Sequence, residues 1–184
     1  LLAAGKSRRM GSKNKLIEKI NNKPLLVHSV NNILESSVQE IIIVLGHQKE
    51  IIEKLIIKNE KIKFVFNKNF ANGISSSIKI GLSNLSEKTE AFFICLGDMP
   101  HVNKNIYNQL IEKKSKKEII VPTYKKQQGN PILFSLSMKK KIMEIEGDVG
   151  AKKIIMAEKN KVLNFETNDE GVTKDYNTLN SFNN

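Results

Sequence analysis

The sequence predicts an α/β protein with a mostly parallel sheet and helices on both of its faces. Three observations carry that expectation. Apolar runs of strand length alternate with segments of helical periodicity along the chain, the fullest runs are apolar on both faces, and glycine or aspartate stands where several of them end. With 184 residues and 40% apolar content, the chain can bury a sizeable core and is short for two domains, so residues 1–184 are expected to form one unit.

Taken in order, Leu1-Leu2-Ala3-Ala4 is a short apolar run ending at Gly5 and opening into a loop with five cationic side chains, Lys6, Arg8, Arg9, Lys13 and Lys15. Because the chain begins on leucine and inside an apolar run, further residues are expected to precede it. Residues 23–34 place Leu26, Val30, Ile33 and Leu34 at helical spacing, with Pro24 suited to a first turn. Residues 40–46 read as a buried strand and 48–57 as a helix. A strand is expected over 62–67, a helix over 75–85 with Ile74, Ile78, Leu82 and Leu85 on one face, and a strand over 91–96. The alternation continues as a helix over 103–114, strands over 118–122 and 132–134, helices over 136–145 and 149–158, and a strand over 161–165. Such a pattern implies right-handed β-α-β crossovers, and in sheets of that kind ligands bind beyond the carboxyl ends of the strands.

Composition excludes several classes. The single cysteine, Cys95, rules out an internal disulfide framework and a Cys/His metal cluster, and is compatible with a reducing cytoplasm. There is no apolar stretch of the roughly 18 residues that a membrane span needs and no secretory leader, so a soluble, cytoplasmic protein is expected. The net charge of +11 is spread over the chain, and with no Trp and few other aromatics a basic stripe interleaved with stacking rings is missing. Nucleic acid is therefore not the expected partner.

Four loops at strand ends carry candidate chemistry. The first is the Gly5 loop, which matches neither the P-loop spacing nor G-x-G-x-x-G. Glycine there lets successive N–H groups approach an anion, while a solvated basic loop is the bland alternative. The second, Asn72-Gly73-Ile74-Ser75-Ser76-Ser77, sets three hydroxyls at a helix start, where simple N-capping needs only one. The third, Leu96-Gly97-Asp98-Met99-Pro100-His101, delivers a carboxylate at the end of an apolar strand, either as a magnesium ligand or as a turn residue. The fourth, Gly129-Asn130-Pro131, is followed by Gly147-Asp148-Val149-Gly150, which alone would read as a helix cap with turn glycines. Asp175-Tyr176-Asn177-Thr178 adds further oxygen ligands near the end.

In combination these motifs resemble the MobA-like nucleotidyltransferases, and most of all their molybdenum cofactor cytidylyltransferase branch. The residues that carry the resemblance are Leu2-Ala3-Ala4-Gly5-x-Ser7-x-Arg9-Met10-Gly11 with Lys15, Gly73-Ile74-Ser75-Ser76-Ser77, Leu96-Gly97-Asp98-Met99-Pro100, Gly129-Asn130-Pro131 and Gly147-Asp148-Val149-Gly150. The resemblance implies a single-domain Rossmann-like three-layer α/β/α sandwich of the nucleotide-diphospho-sugar transferase type. It implies Mg²⁺-dependent transfer from CTP to the terminal phosphate of molybdopterin, releasing pyrophosphate, with a recipient molybdenum hydroxylase as a possible partner. Arg9, Lys15 and Asp98 would be catalytic. Leu2, Ala3, Ala4, Gly5, Ser7, Gly73, Ser75 and Ser77 would lie along the nucleotide, and Asp98 with Asn177 would hold the metal, Asp175 being the rival for the second position. His101, Asn130 and Asp148 are pterin-side candidates. Ala4, where the guanylyltransferase branch usually has glycine, and the serine run favour cytidine. Use of GTP, a sugar-phosphate acceptor, and a non-catalytic cofactor-binding role remain the alternatives.

Overall fold

The computed structural model describes residues 1–7 and 13–176. Its strands are β1 (Leu2–Ala3), β2 (Lys19–Ile20), β3 (Lys23–Pro24), β4 (Ile41–Leu45), β5 (Ile62–Phe66), β6 (Ala91–Ile94), β7 (Ile119–Tyr124), β8 (Gln127–Gln128), β9 (Ile132–Ser135) and β10 (Val162–Glu166). The α-helices are α1 (Leu25–Leu34), α2 (Lys49–Leu55), α3 (Ile74–Ser83), α4 (Lys104–Glu112), α5 (Lys139–Met143) and α6 (Lys152–Ala157). Two ladders, β1-β4-β5 and β10-β7-β9-β6, are joined by a parallel bridge between Leu2 and Leu96, which gives the order β10-β7-β9-β6-β1-β4-β5.

Strand composition explains the layers. In β7, Ile120 faces one side, while Ile119 and Val121 face the other, as the two-residue period of a strand requires. On the first side the core is built from α1 (Leu25, Leu26, Val30, Ile33), α2 (Ile52) and α4 (Ile106, Leu110). On the second it is built from α3 (Ile78, Leu82), α5 (Ile142) and α6 (Ile154, Ile155). Helices thus cover both faces, and each fully buried side chain such as Phe134 or Leu25 contributes about 1.5–3 kcal/mol relative to exposure. The expected three-layer α/β/α domain is what the chain forms.

The sheet departs from parallel at β8 and β9. β9 runs antiparallel to both β6 and β7. The reversal follows β7 and β8, which pair across Lys125 and Lys126, both at positive φ. Two consecutive left-handed residues make the tight turn of a hairpin, and so short a connection cannot supply a crossover. Because neither residue is glycine or asparagine, the turn has no signature in the sequence. Two helices also differ from expectation. The segment 136–145 divides into a 3₁₀ turn, Leu136–Met138, and α5, and α6 begins at Lys152 instead of 149.

Candidate functional site

The carboxyl ends of β1, β5 and β6 converge on one groove of about 740 Å³. A larger hollow, about 950 Å³, lies beneath Ile41 and Ala91 at the amino ends of the strands, on the opposite edge from the loops that carry Gly5, Gly73 and Asp98. The carboxyl end is where an α/β sheet binds ligands, and the polar loops lie there.

The Gly5 turn leaves β1 with Ala4 buried and Gly5 and Lys6 exposed. Ser7 adopts a φ of 50°, and its Oγ accepts a hydrogen bond from the Lys15 amide at 3.1 Å. The Asn14 side-chain oxygen accepts from the Leu16 amide at 3.1 Å, so the loop closes and returns Lys15 to the groove. Arg9 lies outside the described residues.

Lys15 Nζ forms an ion pair with Asp98 Oδ2. Their side chains are only 19% and 11% exposed, so the pair is held in a partly desolvated pocket instead of on the surface. Several anchors fix Asp98. The Gly97 amide donates to Leu2 O at 3.1 Å, Ser29 Oγ on α1 donates to Gly97 O at 3.1 Å, and Asn32 Nδ2 donates to Pro100 O at 2.8 Å. The carboxylate is therefore positioned by β1 and α1, two elements far from it in sequence.

The opposite wall is the start of α3. Gly73 has a φ of 98°, and a Cβ on it would come within 2.4 Å of Gly147 backbone atoms. Gly147 O accepts from both the amide and the hydroxyl of Ser75, at 3.3 and 2.7 Å, and Asp148 Oδ1 accepts from the Ile74 amide at 3.3 Å. The Gly147-Asp148 segment thus caps α3 across the groove edge, and Asp148 lines the groove. This use of residues 147 and 148 is why α6 starts late. Ser75 is engaged by Gly147, and Ser77 Oγ accepts from Asn67 Nδ2 at 3.0 Å while still bordering the groove. The hydroxyls of Ser75, Ser76 and Ser77 thus all have protein partners, which tie the start of α3 to neighbouring loops.

A C-terminal segment straps the loop that follows β6. Asn103 Nδ2 donates to Asp169, and the Tyr176 amide donates to Asp98 O at 3.1 Å. His101 Nε2 and Tyr176 Oη share a 2.9 Å hydrogen bond. Partial burial, and then the Lys174 ammonium, hold His101 below the ordinary imidazole range. The strap carries Asp175 to the groove. Sequence reasoning missed the strap's 3₁₀ turn, Glu170–Thr173, whose signal is the Asp169 side chain accepting from the Gly171 amide at 2.8 Å. Asn177 lies outside the described residues. Asn130 does not reach the groove lining; its amide donates to Val172 O at 2.8 Å, so its loop packs under the strap. His101 likewise sits behind Asp98, not in the lining.

No cluster of three or more His, Cys, Asp or Glu exists among the described residues. The donor set nevertheless fits magnesium, which takes one or two protein carboxylates and fills its remaining positions with phosphate oxygens and water. Among the described residues that line the groove, the carboxylates are Asp98 and Asp175, and Asp148 on the opposite wall. A cationic loop and a rigid carboxylate at the groove can together neutralise a polyphosphate and orient it, which is electrostatic and positional catalysis without a protein nucleophile.

The profile of the MobA-like NTP transferase domain family matches residues 1–162. A protein of Methanosarcina mazei named as a probable molybdenum cofactor guanylyltransferase is 32% identical over 150 residues, which is 79% of this chain and 65% of that protein. A protein of the same name from Methanosarcina acetivorans is 30% identical over 167 residues, 89% of this chain and 70% of that one. The chain thus spans about two thirds of the length of these relatives. The crystal structure of Rv0371c from Mycobacterium tuberculosis H37Rv superposes with a TM-score of 0.87 at 21% identity, covering 99% of this chain and 93% of that one, and so shares the fold.

Proposed function

The chain belongs to the MobA-like NTP transferase family, and on that premise we propose that it transfers a nucleotidyl group from CTP to the terminal phosphate of molybdopterin. The observation that carries this reading is the Lys15–Asp98 pair beside the Gly5 turn, a cation and a carboxylate held together in the lining of the groove.

In the proposed reaction an oxygen of the acceptor phosphate attacks the α-phosphorus. The bond from that phosphorus to the bridging oxygen breaks, and pyrophosphate leaves with the electron pair. Both reactants are anions, so the site must cancel charge and hold them in line. Lys15, with Arg9, neutralises the triphosphate and the charge that develops on the leaving group. The Gly5 turn supplies N–H donors, and Asp98, with Asp175 or Asn177 as second ligand, would hold Mg²⁺. That ion, when bound, supplies Lewis-acid polarisation of the phosphate oxygens.

Ala4 supports CTP as the donor. GTP is the second reading, favoured by the names of the Methanosarcina relatives. Pyrophosphate release is measured with molybdopterin, Mg²⁺ and each of CTP, GTP, ATP and UTP in turn. Release with CTP that requires molybdopterin is expected. Release with GTP and not with CTP would move the donor to the second reading, and an absence of release with all four nucleotides would overturn the enzyme reading itself.

A further inference from the structure

Two sequence features that point to the donor's base, Ala4 and the serine run, converge in the structure on a residue that neither motif contains. Gly46 lies beneath both Ala4 and Phe70: a Cβ on it would sit 2.7 Å from Ala4 Cβ and 2.8 Å from Phe70 Cβ. With no side chain on Gly46, Ala4 Cβ and Phe70 Cβ converge on the same space above its backbone, so the size of residue 4 bears on where Phe70 sits. From the other side, the serines brace the turn that carries Phe70, a 3₁₀ turn over Phe70–Asn72. Ser76 Oγ lies within donating distance of Gly73 O at 2.8 Å and of Asn69 O at 3.0 Å, and Asn67 Nδ2 donates to Ser76 Oγ at 2.8 Å and to Ser77 Oγ at 3.0 Å. The Asn67 side-chain oxygen in turn accepts from the Asn69 amide at 2.9 Å.

Phe70 is the only aromatic side chain among the described residues that line the groove. It follows β5, whereas Asp98 follows β6. In the order β6-β1-β4-β5 these are three strand spacings apart, about 14 Å at the usual interval, with the Gly5 turn between them. Lys6 Nζ stands 5.6 Å from the Phe70 ring centroid, so a flat apolar surface lies next to a cation on the way to the Lys15–Asp98 pair. Ring, cation and carboxylate follow one another as base, phosphates and metal do in a nucleoside triphosphate.

We propose that Phe70 is the stacking platform for the donor's nucleobase, with residue 4 acting on base choice through the Gly46 contact. This rests on the reading of the groove as a nucleotide site. Since the chain contains no tryptophan, Phe70→Trp creates a single fluorescent reporter at the platform. CTP is expected to quench it, and inorganic triphosphate is not. By calorimetry, Phe70→Ala is expected to weaken CTP binding about 5- to 100-fold, the range that base–aromatic stacking supplies, while inorganic triphosphate binds as to the parent. Equal affinity of parent and Phe70→Ala for CTP, or equal quenching by CTP and inorganic triphosphate, would overturn the platform and leave the donor reading standing. Should the parent bind neither CTP nor inorganic triphosphate, both fall. The Phe70→Trp titration decides the matter even if the alanine variant is too unstable to assay.

Discussion

Replacing Asp98 by asparagine separates what the Lys15–Asp98 pair does for the fold from what it does for chemistry. The pair is neither on the surface nor fully interior, with side chains 19% and 11% exposed. Exposed pairs are worth at most about 1 kcal/mol, and breaking a fully buried one costs about 3–5 kcal/mol. An intermediate cost of about 2 kcal/mol is therefore expected for Asp98→Asn, because Lys15 loses the Asp98 charge beside it in a partly desolvated pocket. At about 2–4 °C per kcal/mol for a domain of this length, the melting temperature should fall by about 4–8 °C. Adding Lys15→Met removes the opposing charge, and the double variant should regain most of that loss, a coupling of about 2 kcal/mol in a double-mutant cycle followed by thermal unfolding. Turnover should behave otherwise. Each single variant is expected to lose about 100-fold or more in pyrophosphate release, with no recovery in the double variant, since restored stability does not restore charge at the reacting phosphates. A double variant no more stable than Asp98→Asn would refute the ion-pair argument, and near-parental turnover in Asp98→Asn would refute the assignment of the site.

Two further predictions bear on the groove walls. Gly73→Ala should cost about 2 kcal/mol or more, because the new methyl meets the Gly147 backbone at 2.4 Å on a φ of 98°; a melting temperature within a degree of the parent would show that the 147–148 segment does not cap α3 as described. His101 has its pKa lowered in the folded state, so the unfolded chain takes up its proton first as pH falls, and the strap's stability is full above the ordinary imidazole value of about 6.5 and declines below it. Hydrogen exchange at the Tyr176 amide should accelerate between pH 7 and 5.5 beyond the intrinsic rate, and this extra acceleration should disappear in His101→Gln; a parental profile in that variant would show that another group controls the strap.

The alternation of strands and helices was legible because each element repeats its own apolar period locally. Runs such as Ile41–Leu45 carry their assignment within a few residues. The antiparallel β9 was not legible, since it depends on Lys125 and Lys126 accepting positive φ, a conformation that lysine composition does not announce. Asp98 and Lys15 stood out as charged residues next to a strand end and a glycine loop, and the structure pairs them. The serine run was visible as a motif, but the partners of its hydroxyls, Gly147 and Asn67, belong to segments of other periodicity and could only be found in space.

The sequence by itself therefore determined the layer architecture, the family and the end of the sheet at which charge collects, because those follow from local periodicity and from residue types at strand ends. Tertiary structure alone decided that Tyr176 ties down the Asp98 loop, that Gly147 and Asp148 close the start of α3, and that Ala4 and Phe70 meet over Gly46. Each of these is a contact between residues dozens of positions apart, and such contacts are fixed by how the layers pack, not by any pattern along the chain.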